Sequence, residues 1–259
     1  MNLIKELFRR SRALALLGVF FLILSMVLAM MIPGNTIEVL GVNSLIKPLK
    51  FSISLWIYSW TMAYLVHYFI NEKIKKRLIF LIVFVMLFEQ IGITVQAFRG
   101  TLSHFNMRTT PEIVLFYFMG LLITVVTGYT LYAALQFRKQ EDTLDQTRKE
   151  AIFYGLLVFV IASFMGGVMG GLLSHNVGGE MGGDGLPLVN WSTKVGDLRV
   201  AHFMGIHALQ LIPLAGFMAA EYISNMKKAV SFVRWFSFLY LFFVISVFVQ
   251  ALMGMPFIS

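Results

Sequence analysis

Seven apolar runs of about twenty residues, near 13–32, 50–70, 78–98, 113–136, 151–172, 202–224 and 233–254, dominate this chain. Each can cross roughly 30 Å of hydrocarbon as a helix rising about 1.5 Å per residue. Backbone amides in hydrocarbon must be satisfied within the segment, and barrel strands would alternate and be about half as long, so the runs are read as helices. The expected fold is all-α: a single transmembrane domain over 1–259, built as a bundle of seven spanning helices. With 58% hydrophobic and 13% charged residues, little of the chain is left for a separate soluble domain. The first run follows Lys5, Arg9, Arg10 and Arg12 as a signal peptide would. It is too long for an h-region and lacks a following A-x-A site, so it is read as a retained span.

Short-loop Lys and Arg set the orientation. Fifteen of the 21 cluster at the N-terminus, around Lys73–Arg77, between Arg138 and Lys149, and at Lys227, Lys228 and Arg234; the other six are Lys47, Lys50, Arg99, Arg108, Lys194 and Arg199. Seven spans then place the N-terminus in the cytoplasm and the C-terminus outside. The net charge of +8 reflects topology, and no basic patch for nucleic acid is expected. With no cysteine in the chain, a metal would have to be held by imidazole, carboxylate, thioether or carbonyl.

The outer loops, 33–49, 99–112 and 173–201, hold or border most of the unusual polar residues. Four of the five histidines, His104, His175, His202 and His207, fall at or near the outer ends of spans. His207 lies about 7 Å deeper than His202, with Gln210 one turn further, so a polar stripe enters the membrane. The two imidazoles point about 140° apart on an ideal helix, so a shared centre requires a distortion near Gly205 or a large ligand. Glu89 lies about 14 Å below the outer end of its span, where an ionisable group is costly unless paired or facing a wet cavity. It is either a proton carrier or a carboxyl bonded to a neighbouring helix. Gln96, Arg99, Asp197, Gln210 and Lys50 are candidate substrate-binding residues. Asp197 equally suits a helix N-cap, and Arg199 and Lys50 a snorkelling anchor. Gly166, Gly167, Gly170 and Gly171 form small-xxx-small patterns that suit close helix packing, or room for a flat cofactor such as haem.

Three functional classes follow. The first is a metal- or haem-dependent membrane enzyme or redox protein acting on a lipid-soluble or periplasmic small molecule. Zinc, copper, iron or haem b would be held by His202 and His207, with His104 or His175 completing the set. Glu89 would exchange the proton, Asp184 is a further possible ligand, and Arg199 would orient an anionic group. The second is a proton-coupled transporter using Glu89 and His207. The third is a receptor-like or scaffolding bundle, and a homo-oligomer is compatible with each.

Known seven-helix families fit poorly. Microbial rhodopsins carry a Schiff-base lysine in the last span, where 232–254 offers only Arg234. The zinc hydrolases related to adiponectin receptors use H-x-x-x-H, where this chain has His202-x-x-x-x-His207. The phrases GDLRVAHFMGIHALQ, NSLIKPLKFSISLWIYSWTM and QAFRGTLSHFN resemble those of uncharacterised bacterial seven-helix membrane proteins of similar length. That resemblance covers most of the chain, carries no activity, and implies a multi-pass protein of the bacterial cytoplasmic (inner) membrane.

Overall fold

The computed structural model describes residues 3–141, 144–182, 185–187 and 189–259. It divides into two compact units, Met1–Val126 and Thr127–Ser259. The first unit contains α1 (Leu3–Arg10), α2 (Arg12–Met31), a 3-10 turn at Ile32–Gly34, the hairpin β1 (Glu38–Val39) and β2 (Val42–Asn43), α3 (Ile46–Leu65), a 3-10 turn at Val66–Tyr68, and α4 (Glu72–Phe98). Helix α5 (Thr110–Lys139) runs through the boundary. The second unit contains α6 (Gln146–Leu172), β3 (Asn176–Val177), β4 (Gly196–Asp197), α7 (Leu198–Ile206), α8 (Ala208–Tyr222) and α9 (Met226–Leu252).

Among the described residues, six helical stretches are long and apolar enough to cross a membrane: Arg12–Gly34, Glu72–Phe98, Thr110–Lys139, Gln146–Leu172, Leu198–Tyr222 and Met226–Leu252. The second expected span, 50–70, instead corresponds to α3, which begins four residues earlier and ends five residues earlier. Its apolar residues are diluted by Ser52, Ser54, Ser59, Thr61, two tryptophans and two tyrosines.

Helix ends follow local chemistry. Asn71, Asp145 and Asn225 cap α4, α6 and α9 by accepting backbone N–H groups with their side chains. The opposite ends of the same helices close with paired reverse bonds. Thr101 N–H donates to Gln96 O and Gly100 N–H to Ala97 O; Ser174 and Leu173 do the same to Met169 and Gly170, and Met255 and Gly254 to Gln250 and Ala251. Gly100, Leu173 and Gly254 take the left-handed backbone this closure needs, which Leu173 adopts without glycine's freedom.

In the first unit α3 packs against α2 and α4, with Leu28, Leu45 and Ala97 forming a buried cluster. In the second unit α6 lies against α7 and α8 along a seam of small residues. Ala151 faces Gly216, Gly155 faces Pro213, and Ala162 faces Gly205, while the His202 ring covers Gly166. A Cβ on Gly155 would sit 2.8 Å from the Pro213 ring, and one on Gly205 would overlap the Ala162 methyl. Pro213 lacks an N–H for the Leu209 carbonyl, and the helix is broken at His207. Tyr240 of α9 donates to Met204 O at 2.6 Å, one turn before the break.

Candidate functional site

The first unit places its polar residues around the start of α3. Lys47, in the opening turn of α3, approaches His104 of the 99–109 loop, Nζ to Nδ1 3.4 Å. An ammonium can only donate, so this contact requires the unprotonated Nδ1 of a neutral imidazole. Burial, and then the Lys47 charge, hold His104 well below the usual histidine range. The Ser103 hydroxyl lies 3.1 Å from the same nitrogen, and Phe51, Phe105 and Phe116 surround the ring.

Below this pair lies Glu89 on α4, 3% exposed, with Oε1 buried and without a hydrogen-bond partner among the described residues. Lys47 lies close enough for its charge to act on this carboxyl. Neighbouring Gln90 donates from Nε2 to Pro48 O at 3.2 Å and to Thr94 Oγ1 at 3.1 Å, while its Oε1 is likewise buried and unpartnered among the described residues. The first unit thus carries two orphaned acceptors at mid-helix, and one cation that acts on both Glu89 and His104. A buried acceptor without a donor costs about 1–3 kcal/mol, so the arrangement suits a ligand or a proton.

Gln96 and Arg99 have structural work instead. Arg99 Nη1 donates to Gln96 Oε1 at 2.6 Å, and Nη2 approaches Glu112 Oε1 at 3.5 Å. Thr109 donates to the other Glu112 oxygen, and Asn106 donates to Thr101 Oγ1 and Leu102 O. These bonds clasp the loop to the ends of α4 and α5. Lys50 is half-buried one turn beyond Lys47, with interactions of its own.

In the second unit, Asp197 caps α7 from the β3–β4 pairing, where it lies opposite Asn176. Its side chain is fully buried and accepts from Ser192 N at 2.9 Å, Arg199 N at 3.0 Å, and Arg199 Nε and Nη2 at 2.9 and 2.6 Å. Arg199 Nη2 also donates to Asn190 O at 2.5 Å. Burial pushes the Asp197 carboxyl up, but the Arg199 hydrogen bonds and charge, the Ser192 N–H and the His175 charge together hold it below the usual range. This clasp ties the 173–197 loop to α7, so the catalytic role expected of Arg199 and the binding role expected of Asp197 meet a site already filled by protein groups.

Within each unit the described histidines find other partners than one another. His104 lies in the first unit and the other three in the second. His175 Nδ1 meets Asn176 Oδ1 at 2.8 Å, His202 Nδ1 meets Ala162 O at 2.8 Å, and His207 Nδ1 meets Gln210 Oε1 at 3.2 Å with its ring against Phe203. The helix breaks at His207 itself, yet His202 turns to Ala162 of α6 and His207 to Gln210 of α8. Among the described residues no three His, Asp or Glu side chains come together as a metal-binding group, and Asp184 lies outside the described residues. The donors present therefore do not fit the metal centre expected from sequence.

Lys47 is the residue that sequence reasoning passed over. Starting the span at 50 put Lys50 at its mouth; the helix actually begins at Ile46, which brings Lys47 and Phe51 onto one face at i, i+4. Comparison of the chain with family models, with curated proteins and with solved structures finds no match.

Proposed function

We propose that this is a multi-pass membrane protein that moves a small anionic solute together with a proton, with Glu89 as the proton-carrying group and Lys47 and His104 as the solute-facing pair. The observation that carries this reading is the Glu89 carboxyl: deep in α4, buried, and with Oε1 unpartnered among the described residues. An intramembrane acid in that position is costly unless it holds a proton or meets a partner for part of a working cycle. Lys47 brings a cation to the site that attracts an anion, and neutral His104 offers an Nε2–H donor once Nδ1 faces Lys47.

The same reading takes α3 as a seventh crossing. Its 20 residues span about 30 Å. Most of its hydrogen-bonding groups find partners inside the unit: Ser52, Ser59 and Thr61 donate to carbonyls one turn back and Trp60 Nε1 donates to Ala15 O, while Trp56 Nε1 is buried without a partner among the described residues. Seven crossings put the basic turns and the N-terminus in the cytoplasm and the C-terminus outside, in the inner membrane of a bacterium.

The test is reconstitution into vesicles loaded with a pH-sensitive dye, challenged with a panel of small carboxylates and phosphates. Wild type should acidify the lumen with at least one member of the panel. Glu89→Gln should abolish proton movement, and Lys47→Gln should weaken the apparent affinity roughly 10- to 100-fold, the loss of one charge-assisted bond. Undiminished proton movement by Glu89→Gln, or none by wild type with any solute, contradicts the proposal.

A further inference from the structure

At the basic end of the second unit, a cavity of about 230 Å³ is lined by Arg138, Gln146, Lys149, Glu150 and Phe153. We infer that it binds a phosphoethanolamine lipid headgroup, the phosphate held by Arg138 and Lys149 and the ammonium by Glu150. The Arg138 guanidinium carbon lies 4.4 Å from the Phe153 ring centroid, a stacking that leaves the in-plane N–H edge for an oxyanion. Lys149 is anchored on Gln140 O beside it. Glu150 uses one oxygen to accept from Arg234 Nη2 at 2.6 Å, while its Oε2 is buried and without a partner among the described residues.

That combination selects the ligand. A bare phosphate satisfies the two cations but leaves Glu150 Oε2 without a donor and adds repulsion to it. A choline headgroup brings a cation without N–H, whereas an ethanolamine ammonium donates to the orphaned oxygen. A lipid is favoured over a soluble phosphoester because Leu135, one turn deeper on α5, and Tyr132 beyond it are exposed where acyl chains would run. The inference does not depend on the transport reading, since it uses none of Lys47, Glu89 or His104.

The experiment uses the delipidated full-length protein in detergent, with retention measured by native mass spectrometry and unfolding temperature followed for each addition. Phosphatidylethanolamine should be retained roughly tenfold better than phosphatidylcholine, about one charge-assisted bond. Arg138→Gln should lower retention of phosphatidylethanolamine by a similar factor. Glu150→Gln should erase the preference for ethanolamine over choline, and Arg234→Gln, which breaks the same ion pair but keeps the carboxylate, should retain it. Equal retention of the two lipids by wild type, a preference for phosphatidylglycerol, an unchanged Arg138→Gln, or an equal thermal shift from inorganic phosphate alone overturns the assignment.

Discussion

At the scale of single residues, Asp197 and His104 have environments whose consequences can be measured. Asp197→Asn places an amide donor against N–H groups that the carboxylate accepts, with Arg199 only 28% exposed beside it. We expect a loss of about 2 kcal/mol, read as a lowered thermal midpoint. Because the folded carboxyl lies below its ordinary 3.8, its contribution is present above pH 3.8 and is lost as pH falls through the folded value; the Asn variant should lack that acid limb. His104 works on the same side for a different reason. Its folded form resists protonation, so below pH 6.5 the unfolded chain takes up a proton the native state does not, and stability falls on acidification by at most about 1.4 kcal/mol per pH unit. His104→Gln should flatten the profile just below pH 6.5 and leave it unchanged above.

At the scale of elements, the glycines of the α6 seam separate into two kinds. Gly205 lies against Ala162, so Gly205→Val should cost about 1–3 kcal/mol through overpacking. Gly167 faces open space, and Gly167→Ala should be neutral or stabilise by up to about 1 kcal/mol through helix propensity. Parallel unfolding curves of the two variants check the contrast. The small-xxx-small pattern of Gly166–Gly171 was legible in sequence as packing, but its contacts were not: the seam is carried by Ala151, Gly155 and Ala162 further back, and Gly166 matters because His202 lies over it. The connections 33–49, 99–112 and 173–201 were legible as long polar loops, whereas the β1–β2 and β3–β4 pairings rest on two-residue strands too short to leave a periodic signal.

At the scale of the whole molecule, the membrane-spanning helical character was written in apolar run length, which physical necessity in hydrocarbon makes readable. The directions of the four expected histidine rings were not legible, because sequence gives depth along each helix but not where each ring turns. The hydrogen bonds of His175, His202 and His207 are local or to a seam partner. Glu89 was found by depth alone. The absence of cysteine from the chain makes topology directly accessible. Single cysteines at Lys5 and Ser259, both exposed, labelled from one side of sealed vesicles, should react from opposite faces if α3 crosses, and from the same face if only six helices do.

The central claim rests on Glu89, and infrared spectroscopy of the purified protein in bilayers tests it most directly. A protonated-carboxyl carbonyl band that titrates with pH and disappears in Glu89→Gln is the predicted result. A spectrum in which Glu89→Gln leaves every titrating carboxyl band in place would contradict the account.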